Sequence, residues 1–241
     1  MRTNLFFLFF FFTNFIFSQN LDVKYDIDIK NLQDKNKIKT QGYLKSIFTQ
    51  SQKDIKNYPL EFIINSNGYS IDFSNSLQVD PETQRKYVSK FMVLGFIGLD
   101  ILVYNDGKIS YTYNNGEIIN SYDIENLGYW EITKEIKNIL GYSCYKAYFK
   151  TDVPEVKRAS LIMPKYAWFS TEIPIKGGPT IFGNLPGLIL ELETKVAHFK
   201  ATSIQETDKK LKKINFKDKK IMTFIESERY HIDMMKHKLK N

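Results

Sequence analysis

Five groups of side chains in this sequence have types and spacings that could do chemistry. Carboxylates come in i, i+2 pairs, Asp26 with Asp28 and Glu191 with Glu193. On an extended strand such a pair shares one face, about 7 Å apart. General acid–base work would need burial to raise one of the two pKa values. Both pairs alternate with apolar residues, so the pattern predicts solvated carboxylates and no catalytic dyad. Near the end, "HIDMMKHK" puts His231 four residues from Met235, and Met234 three from His237, which are neighbouring positions on a helix. Imidazole with thioether suits Cu(I), while the same pattern describes an amphipathic helix with Met as core filler. Cys144 is the single cysteine, so an internal disulfide is impossible and a buried, inert thiol is expected. His198 lies between Ala197 and Phe199, whose side chains point inward, and reads as a surface residue.

The fifth group is a loop. In "GGPTIFGNLPGLILELE", residues 177–193, four of the twelve glycines and two of the seven prolines fall within eleven residues. Gly177-Gly178-Pro179 reverses the chain, Pro186 presets φ, Gly187 permits an unusual backbone, and Leu188, Leu190 and Leu192 re-enter a core. Phe182 and Leu185 are apolar enough to plug the end of a sheet. Loops on rigid scaffolds also carry contacts, so Gly178, Pro179, Phe182, Asn184, Leu185, Pro186 and Gly187 are the candidates for touching a ligand or partner. The glycines do not match a phosphate loop and precede a strand, leaving no helix N-terminus to receive an anion. No Gly-x-Ser-x-Gly, Walker, His-Glu-x-x-His or Cys-x-x-Cys motif occurs. No catalytic residue, metal or cofactor is assigned.

The elements that must position these groups read as β-rich. "LDVKYDIDIK" alternates strictly, as a half-buried antiparallel strand does, and "KIKTQGYLKSIFTQ" reads as a second strand. Alternating runs flank Asn67-Gly68, Asp106-Gly107 and Asn115-Gly116, the strongest short hairpin signals. "PETQRKYVSKFMVLGF" reads as a short helix starting behind Asp80-Pro81, and "YWEITKEIKNIL" fits strand or helix. "GYSCYKAYFK", "ASLIMPKYAWFSTEIPI", "GLILELE" and "AHFKATSIQE" read as strands. Residues 223–240 form a helix, with Thr223 and Glu226 at capping-box spacing. The expected fold is one mainly β domain: a curved antiparallel sheet of about eight to ten strands, a half-barrel or barrel-like meander. One or two helices pack on it.

The start, "MRTNLFFLFFFFTNFIFSQN", has a positive residue, an apolar block too short to span a bilayer, and Ser18 at the cleavage position. It reads as a signal peptide, residues 1–18, with no lipoprotein cysteine. Removing it from 241 residues leaves 223, enough for one domain with its own core. The net charge of +7 is concentrated at 205–241, with a basic connector over 205–220. A basic tail without a basic body argues against nucleic-acid binding.

"FGNLPGLILELE", preceded by "ILGYSCYKAYFK", "YAWFSTEIPI" and "GGPTIF", resembles the GLPGLI family of secreted proteins of Gram-negative envelopes. The likeness is tight over 139–193 and looser elsewhere. Asn184 stands where that family's name has glycine; Asn is the best substitute for Gly at positive φ. The resemblance implies kinship and a periplasmic compartment and transfers no catalytic residue. The leading expectation is a non-enzymatic periplasmic binding or accessory protein, monomeric, without a transmembrane segment after signal removal. An apolar small molecule or an envelope protein partner would be held by the concave face and the loop. The alternatives are an envelope hydrolase acting on peptide or glycan, and Cu(I) handling by the last helix.

Overall fold

A computed structural model describes residues 20–30, 42–73, 81–113, 118–151, 163–223, 225–227 and 229–230. The expected signal peptide, the Asn115-Gly116 turn and the residues from His231 to His237 lie outside the described residues. No described helix is long and apolar enough to cross a membrane.

Strand β1 (Asn20–Ile29) keeps the alternation of its sequence: Leu21, Val23, Tyr25, Ile27 and Ile29 are buried, Asp26 and Asp28 exposed. It is followed by helix α1 (Gly42–Asn57), where the sequence suggested a second strand. The apolar positions Leu44, Ile47, Phe48 and Ile55 recur at helical spacing, and that period wins over the shorter alternating stretch. Next come β2 (Leu60–Asn65) and β3 (Gly68–Ile71). The hairpin between them turns on Ser66 and Asn67, since Asn65 pairs with Gly68. Gly68 opens β3 at φ +124, where a Cβ would stand 2.2 Å from the Val103 carbonyl oxygen. Glycine is required there by both conformation and space.

Helix α2 (Pro81–Ile97) starts on a proline, which has no N–H to leave unpaired. Strands β4 (Leu102–Asn105), β5 (Ile109–Tyr113) and β6 (Ile118–Asp123) complete one meander. After the single turn α3 (Ile124–Leu127) come β7 (Tyr129–Ile139), β8 (Tyr142–Lys150), β9 (Pro164–Ser170), β10 (Leu188–Thr194) and β11 (Ala197–Thr207). The ambiguous "YWEITKEIKNIL" is therefore a strand. The last strand, β12 (Lys220–Thr223), runs into a helical turn. There the Thr223 N–H and hydroxyl both donate to the Glu226 carboxylate at 2.8 Å, and the Glu226 N–H donates back to Thr223 Oγ1. The capping box is formed.

All twelve strands join one sheet in the order β12-β6-β5-β4-β3-β2-β1-β11-β10-β9-β8-β7. That exceeds the eight to ten expected, and one pairing, β12 on β6, is parallel; every other neighbouring pair is antiparallel. The sheet is open, with β12 and β7 as its edges, and it curves. Ser110 on β5 donates to the carbonyl of Ile181 at 3.4 Å, while the ring of the next residue, Phe182, lies 4.9 Å from that of Phe149 on β8. Eight strand positions separate β5 from β8, about 40 Å in a flat sheet. Two consecutive loop residues can touch both only if the sheet wraps around them. Into that concavity pack Ile55 of α1, Val93, Leu94 and Ile97 of α2, and the loop. The largest wholly enclosed side chains, among them Tyr25, Phe62, Tyr69, Phe169, Phe182 and Phe199, meet there.

Candidate functional site

The glycine-rich loop is a packing device. Gly178, Pro179, Phe182, Leu185 and Gly187 are buried, and only Asn184 and Pro186 of the seven candidate residues are exposed. Gly187 is needed for space, not for an unusual φ: a Cβ would stand 2.1 Å from the Ser170 carbonyl oxygen. Gly177 is bridged to Leu188, and the Ile189 N–H donates to the Gly177 carbonyl at 2.9 Å. The Tyr25 hydroxyl, sealed in the core, donates to the Ile189 carbonyl at 2.7 Å, and burial drives its pKa well above the ordinary phenol value. Asn184 has an ordinary negative φ. It points outward, where its Oδ1 accepts from Trp130 Nε1 at 2.9 Å. Aromatic residues fill the concave face.

The carboxylates behave differently from one another. Asp26 and Asp28 are exposed, as their alternation suggests, but Glu191 and Glu193 are each only 7% exposed. Their face of β10 is covered by Trp168 and Tyr166 from β9 and by the stems of long basic side chains. Glu191 Oε2 accepts from Lys137 Nζ at 2.6 Å, and the same ammonium stands 4.3 Å over the Trp168 ring. His198 Nε2 lies 3.2 Å from Glu191 Oε1, out of line for a hydrogen bond but well placed for a charge contact when protonated. His198 is thus a half-buried partner of Glu191, not a free surface residue. Glu193 pairs with Lys30. Burial alone would raise the Glu191 pKa, but His198 and Lys137 outweigh it and hold the carboxyl down at about 2. A carboxyl held ionised in this way is poorly suited to deliver a proton near neutral pH.

Cys144 is wholly enclosed, with its thiol pushed up to about 11 by burial. Among the described residues no three of His, Cys, Asp and Glu gather closely enough to hold a metal ion.

The open site is a cleft of about 560 Å³ on the other half of the sheet, lined by Asn20, Asn65, Asn67, Tyr104, Phe216 and the segment Lys210–Ile214. Residues 208–219 join β11 to β12 without regular structure, and they are strapped to the sheet at two points. Lys209 Nζ reaches Asp72 at 2.7 Å, Asp22 at 3.1 Å and Glu61 at 3.9 Å. The hydrogen bond to Asp72, aided by Asp22, outweighs burial and raises the Lys209 pKa. Ile214 is buried with Leu102 and Ile119. Phe216, 38% exposed, meets Tyr104 and Tyr111 edge-on at 6.3 and 5.3 Å.

Opposite this aromatic group stand three amides. Asn65 Nδ2 donates to Asn20 Oδ1 at 2.8 Å, while Asn65 Oδ1 accepts from the Asn67 N–H at 2.8 Å. These bonds orient the first two amides and leave the Asn67 side chain facing the cleft. Sequence reasoning missed this site. Asn67 registered as a turn residue and the lysines as a charge run. Their convergence depends on how residues near 20, 65, 104 and 210–216 are folded together.

The family model described as "N-glycanase peptide, N-terminal domain" matches residues 108–231, just over half of the sequence. The chain belongs to this N-glycanase N-terminal domain family. No curated protein matches it. Two solved structures of PNGF-II, in space groups C2 and P21, are similar at 17% and 18% identity, with TM-scores of 0.43 and 0.42. Each comparison covers 85% of this chain and 31% of the PNGF-II chain, so the chain spans about a third of that protein's length. The N-glycanase N-terminal domain match takes in the loop, Glu191, His198 and the strap over 208–219. It stops short of Asn20, Asn65, Asn67 and Tyr104, which complete the cleft from β1, β2 and β4.

Proposed function

We propose that this chain is an exported, non-catalytic glycan-binding or accessory domain of the Gram-negative envelope, and that its ligand lies in the cleft between the strap and the β1–β4 end of the sheet. The observation that carries this reading is the pairing of amides with aromatic rings in one open cleft. Amides offer donor and acceptor side by side to vicinal hydroxyls, and aromatic faces pack against the C–H faces of a sugar ring. The volume is within the roughly 300–1,000 Å³ of ligand clefts. Membership of the N-glycanase N-terminal domain family points to glycan as the substrate class. The periplasmic location rests on the signal-like start, and the kinship with GLPGLI proteins rests on residues 139–193. The apolar cargo expected from the sequence has no support in the filled concavity.

The test is calorimetric titration of residues 19–241 with an N-glycan core oligosaccharide, alongside Asn67→Ala and Phe216→Ala. Wild type should bind, and each variant should lose about tenfold or more in affinity while keeping its circular dichroism spectrum. Undiminished binding by both variants would remove the ligand from this cleft. In the same samples no release of glycan from a glycopeptide is expected. Release that Glu191→Gln abolishes would make the domain an enzyme.

A further inference from the structure

The cleft has a second chemical property, which deepens the glycan-binding reading and rests on it. Lys210, Lys212 and Lys213 all line it, and among the described residues no carboxylate does. Their neighbour Lys209 shows what this part of the chain does when a lysine serves the fold. It is directed inward to three carboxylates, Asp22, Asp72 and Glu61. Lys24, Lys30, Lys137, Lys146 and Lys150 likewise each meet a carboxylate. The three cleft lysines are exposed, within four residues of one another, and have no acid beside them in the cleft wall.

Three lysines on four consecutive residues along one cleft wall put a local excess of positive charge there, felt over about one Debye length, roughly 8 Å at physiological salt. Like charges held together without a counter-ion destabilise one another. The arrangement is relieved by an anion that enters the cleft. The strap itself carries Asp208 and Asp218, but neither lines the cleft. Lysine ammoniums hold oxyanions as mobile point charges, and an oxyanion here would sit beside Tyr104, Phe216 and the Asn67 amide. An isolated inorganic anion would use only the lysines. A saccharide carrying an acidic group would use the whole wall.

We infer that the cleft selects negatively charged saccharides, sugars bearing a carboxylate, sulfate or phosphate, over their neutral counterparts.

The experiment compares lactose, 3′-sialyllactose and 6′-sulfolactose, titrated into residues 19–241 at low and at physiological salt, with inorganic sulfate as a fourth ligand. An acidic sugar should bind about tenfold tighter than lactose, and the advantage should shrink as salt rises. The triple variant Lys210→Gln, Lys212→Gln, Lys213→Gln should bring the acidic sugar down to the affinity of lactose and leave lactose unchanged. The two acidic ligands distinguish carboxylate from sulfate as the preferred group. Equal binding of lactose and both acidic sugars would overturn the inference while leaving the glycan reading intact. Inorganic sulfate binding as tightly as sulfolactose would also overturn it, because the aromatic and amide wall would then contribute nothing. Failure of all three sugars, together with the N-glycan core, would overturn both readings.

Discussion

The two halves of the sheet treat their polar groups in opposite ways. On β7–β11 the charged side chains answer one another: Glu191 with Lys137 and His198, Lys146 with Glu135, and Glu193 with Lys30 just past the end of β1. The loop of residues 177–187 is sealed against the same half from inside. On the β1–β4 half the strap ties down one lysine and leaves three facing a cleft beside an amide whose bonding capacity is unused. A closed network adds structure and little chemistry, since its carboxylates already have their cations. An open cluster of oriented donors and acceptors is where a ligand can be recognised. The two halves, side by side in one sheet, separate groups that hold the fold from groups available to bind.

The most severe way to break the closed half is Gly187→Ala. Its Cβ would meet backbone atoms of Ser170, which cannot move aside as a side chain can. We expect a loss of about 3 kcal/mol, read as a fall of about 10 °C in Tm. A fall of under a degree would show that the loop is not packed as described.

Next in size is Lys137→Met, which leaves Glu191 without its ammonium. Because Lys137 is about a third exposed, solvent moderates the cost, and about 2 kcal/mol is expected. The same pair sets a pH dependence. Glu191 titrates at about 2 in the folded chain against 4.5 ordinarily. Its contribution is therefore complete above pH 4.5 and lost as pH falls towards about 2. Denaturant midpoints measured across that window should fall less steeply in Glu191→Gln than in the wild type; parallel slopes would contradict the network.

The smallest effect sharpens the contrast from the other side. Asn67→Ala and the triple lysine-to-glutamine variant should change stability by less than about 0.5 kcal/mol, though both are expected to impair binding. A large loss of Tm in either would mean that the cleft groups serve the fold after all.

Much of this was legible in the sequence, and what was not has a common cause. The alternation in 20–29 was enough to place Tyr25 inside and Asp28 outside, and two glycine-marked hairpins were found, because such signals are local. The capping box at Thr223 and Glu226 was legible for the same reason. Alternation also put Glu191 and Glu193 on the face away from the core, which is correct. It could not show that Trp168, Lys137 and Lys30, from three other strands or their ends, cover that face. The helical period of residues 44–55 was present but was outweighed by the strands on either side. Gly187 was expected to permit an unusual backbone; its φ is not positive, and what demands glycine is the nearness of Ser170, which only the folded pairing supplies. The cleft was invisible since its walls come from four distant stretches of chain.

One feature of the topology bears on how the molecule comes to exist at all. Strand β1 lies at the middle of the sheet, pairing with β2 on one side and β11 on the other, and Asn20 faces Thr207 across that second seam. The two residues are 187 positions apart in the chain. Bringing such distant segments together means closing a very long loop before the contact gives anything back, and folds dominated by such contacts form slowly. The first strand made must wait, with one edge bare, for nearly the last. The sheet therefore remains unfinished until almost all of the chain is available, and until then its central strand keeps an unpaired edge.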